Sequence, residues 1–116
     1  MDERIEKAFE VANYMATLSN QRRLMKEEFN QTLIYYINGA TFKITPELIC
    51  LSKTWIDQGL VTDVVFIDTN NAPVLINNLN DFFEAISAQY LQATNEYFTK
   101  FSDLRVKRKI SAILEL

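Results

Sequence analysis

Hydrophobic positions follow a helical period at both ends of the chain, and between them lie two pairs of short apolar runs, each pair separated by turn residues. Near the N-terminus, apolar residues recur every three or four positions and form one seam: Ala8, Val11, Met15, Leu18, Met25 and Phe29. Only Arg22 interrupts it. This spacing predicts a helix. The seam has two interpretations, packing against the chain's own last helix or a coiled coil between subunits.

The same N-terminal segment carries a second apolar stripe on an adjacent face, formed by Ile5, Phe9, Ala12 and Ala16. The first turns are therefore apolar over a wide arc and suited to contact two elements at once. Ser19 and Asn20 leave open a break of the segment into two helices.

The strongest local signal is a β-hairpin between Thr32 and Thr45. Its two apolar runs flank Asn38-Gly39, the pair favoured in a two-residue type I′ turn because both positions need positive φ. That turn sets the register: Ile37 faces Ala40, Tyr35 faces Phe42 and Leu33 faces Ile44 on one apolar side. Ile34 with Lys43 and Tyr36 with Thr41 form a mixed outer side.

A helix over residues 46–58 follows, with its ends marked in the sequence. Thr45 is the expected N-cap, Pro46 takes the first helical position, Glu47 suits the positive end of the helix dipole and Gly59 ends the helix. The predicted buried stripe is Leu48, Leu51, Trp55 and Ile56. The predicted solvent face is Cys50, Lys53 and Asp57.

A second hairpin is predicted from Asp63 to Ile76, around Thr69-Asn70-Asn71, residues that tolerate a left-handed backbone. Pro73 cannot donate a ladder hydrogen bond, so it lies at a sheet edge or at the first residue of its strand. Both faces of this hairpin are apolar. We therefore expect a helix to cover one face and a second subunit to cover the other.

The final helix is capped by Asn78 or Asn80 and carries one long apolar stripe. The stripe consists of Phe82, Phe83, Ile86, Tyr90, Ala93, Tyr97, Phe101 and Leu104. The apolar positions that follow, Val106, Ile110, Ile113 and Leu114, point to the opposite side of an uninterrupted helix. Three interpretations remain: a kink near residue 105, fraying, or a last segment that packs on another chain.

Together these elements predict an α+β fold: two antiparallel β-hairpins with a central helix, flanked by long N-terminal and C-terminal amphipathic helices. The 116 residues, 48% of them apolar and 23% charged, fit a single domain spanning residues 1–116.

Composition limits the chemistry. The chain has no His, one Cys and two Gly, which removes most of the side chains used in catalysis, metal binding and phosphate binding. We predict that the protein is not an enzyme and has no catalytic residue, cofactor site, metal site or small-molecule substrate. Cys50 lacks a His to deprotonate it and is interpreted as an idle surface thiol.

Two motifs have plainer explanations than ligand binding. Asp68-Thr69-Asn70-Asn71 resembles the start of a calcium loop, but Pro73 and Leu79 stand where that loop needs Gly and Glu, which indicates a turn. The basic run Arg105, Lys107, Arg108 and Lys109 suits the negative end of a helix. The net charge of −3 argues against nucleic acid as the main ligand.

No apolar run approaches the roughly 20 residues that span a bilayer, and the N-terminal sequence MDERIEKAFE is charged where a signal peptide is apolar. We therefore expect a soluble protein that neither enters a membrane nor is secreted.

Three stretches carry a resemblance to a known family: NGATFKITPELICLSKTWI, VVFIDTNNAPVLI and NDFFEAISAQYLQATNEYFTKFSDLRVKRKISAI. Their order is similar to that of a phage-encoded domain family of unknown function found in tail fibre and tail fibre assembly proteins. In that family, a strand and helix lead to a short hairpin and then to a long helix with regularly spaced aromatic residues. The resemblance covers about two thirds of the chain, and Phe66 stands where Trp is more usual. It implies a virion or tail-assembly component, in the virion or the host cytoplasm, with no catalytic residues.

The sequence thus favours a small structural or assembly protein that acts through protein contacts and self-association. The alternative is a small monomeric regulatory adaptor that binds a host protein through its apolar hairpin. The candidate interface residues are Val11, Met15, Leu18, Met25, Val106, Ile110, Ile113 and Leu114.

Overall fold

The computed structural model describes residues 2–114, and side chains as far as Val106. Its elements are, in chain order, α1 (Glu3–Thr32), β1 (Ile34–Ile37), β2 (Ala40–Lys43), α2 (Pro46–Asp57), β3 (Thr62–Ile67), β4 (Pro73–Asn78) and α3 (Leu79–Leu114). Strands β1 and β2 form one antiparallel two-stranded sheet, and β3 and β4 form another. The predicted α+β class is confirmed.

The chain divides into two compact units. The helical unit consists of Met1–Phe29 and Glu96–Leu116, and the hairpin unit consists of Asn30–Asn95.

The first hairpin has the predicted turn and register. Asn38 and Gly39 have φ values of 50° and 75°. Tyr35 pairs with Phe42 and Ile37 with Ala40. The Ile44 N–H donates to the Leu33 carbonyl over 2.6 Å, which carries the same register one pair beyond the strands. The Asn-Gly pair was a reliable signal because few other residue pairs adopt two successive positive φ values at low cost.

The outward backbone groups of this hairpin are partly covered by side chains. The Gln89 amide of α3 donates to the Thr32 and Ile34 carbonyls on the free side of β1, over 2.6 and 3.0 Å. On the free side of β2, the Thr41 carbonyl accepts from the Thr69 N–H at 3.0 Å and from its hydroxyl at 2.8 Å. These bonds occupy acceptors that an added strand would otherwise use.

Helix α2 begins and ends as its sequence predicts. The Leu48 N–H donates to Oγ1 of Thr45 over 3.1 Å, and Gly59 follows the helix with a φ of 86°. Its solvent face is also confirmed, since Cys50, Lys53 and Asp57 are exposed.

The buried face of α2 differs from the prediction. Leu51 is 41% exposed, whereas Ser52 is fully buried. The inward face is centred one position further along the helix, and the Ser52 hydroxyl tolerates burial because it donates to the Leu48 carbonyl at 2.8 Å. The prediction of Leu51 as a buried residue was wrong.

The second hairpin is longer than predicted, with Thr62 paired to Asn78. Pro73 is the first residue of β4 and lies opposite Ile67, as its missing N–H requires. Val64, Phe66 and Ile76 point inward and are buried.

The loop between β3 and β4 is held by one carboxylate. Asp68 is 8% exposed, and its Oδ1 accepts from the N–H groups of Asn70 and Ala72, each at 2.9 Å. Asn71 takes a left-handed backbone with a φ of 59°. Among the residues described, this geometry supports the interpretation of the Asp68–Asn71 motif as turn chemistry.

Aromatic rings form the centre of the hairpin unit. The ring of Phe82, 1% exposed, lies 5.8 Å from Tyr35, 5.4 Å from Phe42 and 5.3 Å from Phe66. Trp55 of α2 contacts Phe66 at 5.0 Å. One side chain of α3 therefore contacts strands of both sheets and, through Phe66, is linked to α2.

Helices α1 and α3 are each continuous. Ser19 and Asn20 do not interrupt α1. Asn78 caps α3, because its Oδ1 accepts from the Asp81 N–H at 3.2 Å. Helix α3 continues through residue 105, and the side chains that follow Val106 lie outside the described residues.

Within the described residues, no helix combines the length and apolar character needed to cross a bilayer.

The Asp68 carboxylate allows a test of the loop. Asp68→Ala should lower the free energy of unfolding by about 1–3 kcal/mol, because two loop N–H groups lose their acceptor. Asp68→Asn keeps an oxygen at Oδ1 and should retain most of the stability. Urea denaturation followed by Trp55 fluorescence measures both. Equal losses in the two variants would contradict the proposed role of Oδ1.

Candidate functional site

The helical unit pairs the C-terminal part of its α1 segment with α3. Phe29 and Tyr97 make an edge contact with ring centroids 4.8 Å apart, and Tyr97 stacks on Phe101 at 6.2 Å. The guanidinium of Arg22 lies 5.5 Å from the Phe101 ring centre, in a cation–π contact. Residues further along α3 contact residues earlier in α1: Phe29 contacts Tyr97, whereas Arg22 contacts Phe101. The two helices therefore run antiparallel.

One ion pair flanks this contact. The Lys100 ammonium lies 2.8 Å from the Glu28 carboxylate. The hydrogen bond to Glu28 and the negative charge of Glu28 raise the pKa of Lys100 above its ordinary value. The charge of Glu96 raises it further. Both side chains of the pair are more than half exposed, so solvent screening leaves it little net stabilisation.

Beside the pair lies an open groove of about 400 Å³. Its lining is mixed: Gln21, Leu24, Met25, Glu28, Lys100, Asp103 and Leu104. The charged members leave it without the largely apolar enclosure typical of small-molecule pockets.

The N-terminal half of α1 differs from this paired part. From Glu3 to Thr17, every side chain except Tyr14 is exposed. Four large apolar residues are among them: Ile5 at 47%, Phe9 at 58%, Val11 at 44% and Met15 at 45%. Exposed apolar residues are common singly, but four within three turns of one helix form a candidate interaction surface. We call these four residues the α1 apolar arc.

The predicted interface residues divide between these two regions. Leu18 is 6% exposed and Met25 is half-buried, so both pack within the chain itself. Val11, Met15 and Val106 are exposed and available to another chain. Ile110, Ile113 and Leu114 lie outside the residues whose side chains are described, and their role stays a prediction.

Ile5 and Phe9 are exposed apolar residues that were not among the predicted interface residues, although the sequence showed their stripe. The signal that points to them is the width of the apolar arc. A helix packed on one neighbour needs a single stripe, and a second stripe indicates a second neighbour.

A second exposed apolar surface lies on the outer face of the β3–β4 hairpin. Val65 is 50% exposed, Ile67 61% and Leu75 49%. Val65 pairs with Leu75, which places these two side chains on the same face. The inner face of this hairpin is covered, as predicted. The expected cover of the outer face by a second subunit is untested.

In the described part of the chain, His, Cys, Asp and Glu side chains form no group of three or more able to hold a metal ion.

Comparisons with protein-family models, with curated proteins and with solved structures found no match. The exposed surfaces are therefore interpreted from their own geometry, polarity and charge.

The Lys100–Glu28 pair predicts a pH effect. Because the folded-state pKa of Lys100 is raised, its small stabilisation is complete at neutral pH and is lost as pH rises through that pKa. Glu28→Gln should lower the pKa of Lys100, as measured by NMR titration of the lysine side chains. Glu27→Gln, which removes the neighbouring partner of Arg23, should leave it almost unchanged. An unaltered Lys100 titration in Glu28→Gln would contradict the assignment.

Proposed function

We propose that the protein is a non-enzymatic assembly protein that acts by self-association through its helical unit. The observation that supports this most directly is the exposure of the α1 apolar arc. Residues of this kind are usually buried on one face of an amphipathic helix, and packing of that face supplies most of a helix's stability in proteins.

The energetics favour a large shared surface. Complete burial of an Ile, Phe, Val or Met side chain stabilises by about 1.5–3 kcal/mol, so burying the remaining exposed half gives about 1 kcal/mol each. Four such residues on each of two chains supply about 8 kcal/mol in total. That is comparable with the estimated loss of about 4–15 kcal/mol in translational and rotational freedom on association. Burial of apolar arc residues therefore supplies a substantial part of the free energy that association requires.

Two further features support a role in assembly. The composition lacks His and has only two Gly, which leaves few groups for catalysis. The sequence also resembles the phage domain family described above, and we therefore place the oligomer in a virion or tail-assembly context. Its partners are proteins, including copies of itself.

The second candidate function is a monomeric adaptor that binds a host protein through the β3–β4 hairpin. The exposed outer face of Val65, Ile67 and Leu75 favours it. The two candidates differ in the state of the isolated protein, because the adaptor requires a monomer and the assembly protein a defined oligomer.

Sedimentation velocity of the chain between about 1 and 100 μM tests the proposal. We expect one discrete oligomer, and its replacement by monomer when Ile5, Phe9, Val11 and Met15 are all changed to Gln. Gln retains helix propensity, so the change removes mainly apolar surface. The hairpin unit should remain folded, as Trp55 fluorescence would report.

A matched control changes Leu91 and Phe98 to Gln. These α3 residues are 62% and 72% exposed but lie outside the α1 apolar arc, so the oligomer should persist. A monodisperse monomer for the unmodified chain would contradict self-association and favour the adaptor.

A further inference from the structure

The second stripe of α1 begins with apolar residues and continues with polar ones toward the C-terminus of the helix. Its members are spaced alternately four and three residues apart, at positions 5, 9, 12, 16, 19 and 23. This spacing keeps them on one face over five helical turns. All six residues are exposed: Ile5, Phe9, Ala12, Ala16, Ser19 and Arg23. The contacts with α3 use other positions, including Arg22 and Phe29. These six residues are here called the α1 second face, and all of them are exposed to solvent.

The middle of the α1 second face is made of small side chains. Ala12, Ala16 and Ser19 follow the larger Ile5 and Phe9. Small residues at a helix–helix contact bring the two helix axes close together, to about 8 Å within the usual interaxial distance of about 8–10 Å. An antiparallel partner would place Phe9 of one helix beside the small Ser19 of the partner subunit.

Charge along α1 is ordered in blocks. Residues 2–10 contain four acidic and two basic side chains, residues 11–21 contain no charged side chain, and residues 22–26 contain three basic side chains and no acidic one. Two parallel copies would place like blocks together. Two antiparallel copies centred near residue 14 place each acidic block beside a basic block. Each exposed pair contributes only about 0.2–1 kcal/mol, so the charges select orientation more than affinity.

From this pattern we propose that the occupant of the α1 second face is the same face of a second copy of this chain, in antiparallel orientation about a two-fold axis beside residue 14. Ala12 then lies against Ala16 of the partner subunit, and Phe9 lies against Ser19 of the partner subunit. The same surface serves both subunits, as a closed two-fold dimer requires. The proposal rests on the proposed self-association and adds its surface and orientation.

Arg23 fits this arrangement although it is charged. It lies opposite Ile5 of the partner subunit, where its aliphatic stem covers the apolar side chain while its guanidinium reaches the partner's acidic block. Its present partner, the Glu27 carboxylate, is 3.9 Å away and well exposed, so this weak ion pair is easily exchanged.

Cysteine cross-linking tests the orientation in a Cys50→Ser background, which removes the one native thiol. Ala12→Cys and Ala16→Cys chains, one of them isotope-labelled, are mixed, allowed to exchange subunits and mildly oxidised. Mass spectrometry then identifies the cross-linked pairs. We expect the disulfide between Ala12→Cys and Ala16→Cys to form at least about tenfold faster than one between two identical variants. In the proposed dimer, identical positions on the two helices are offset by four residues, about 6 Å along the helix axis.

Thr17→Cys, on the polar side of the same helix, is the matched control and should cross-link slowly in every combination. Rapid self-pairing of Ala12→Cys and of Ala16→Cys would indicate parallel helices and overturn the proposal. An oligomer in which none of these cysteines cross-links would overturn the assignment of the face while leaving self-association intact. A monomeric unmodified chain would contradict both.

Discussion

The fold of the hairpin unit depends on the burial of the Phe82 ring. Two-stranded hairpins are marginal in water on their own, and residues 2–114 form two of them with no strand pairing between their sheets. Phe82 lies within 6 Å of Tyr35 and Phe42 in the first sheet and of Phe66 in the second. The same ring also fixes the face of α3 that is buried, since Ile86 lies one turn further on and is fully buried as well. The two sheets therefore share one core, although each is too small to form its own.

Among the side chains that the structure describes, the helical unit lacks a comparable buried centre. Its aromatic contacts begin at Arg22 and Phe29, and Leu18 is the one residue of α1 that is fully buried in the described part of the chain. Two helices in contact cover only one stripe of each other, so the remaining apolar surface of α1 is left to solvent. The hairpin unit obtains its stability from internal burial, whereas in the described part of the helical unit several large apolar side chains of α1 stay exposed.

Sequence patterns predicted most of the local structure where a single residue type determines the backbone. Asn38-Gly39 fixed one register, and Thr45 with Pro46 fixed the start of α2. The sequence patterns were less accurate where a helix would be amphipathic whichever of two neighbouring faces it buried, because the pattern alone does not decide between those faces. Leu51 and Ser52 differ by one position, and the contacts that α2 makes in the folded unit decide which one faces inward. The same limit applies to α1, where the sequence showed two stripes, and in the folded chain Leu18 is buried whereas Ile5 and Phe9 are exposed.

Several outward backbone groups of the strands are already satisfied, which disfavours the addition of another strand at those positions. Gln89 donates to the Ile34 carbonyl of β1 and to the Thr32 carbonyl just before that strand. Thr69 donates to the Thr41 carbonyl of β2, and Pro73 offers no N–H on β4. An incoming strand would have to displace these bonds or leave its own groups unpaired, each at a cost similar to a lost hydrogen bond. A helix laid along α1 displaces no backbone bond, because the backbone groups of a helix interior are already paired. A second chain that packed on the apolar arc of α1 would therefore need less rearrangement of the backbone bonds than one that paired with these strand edges.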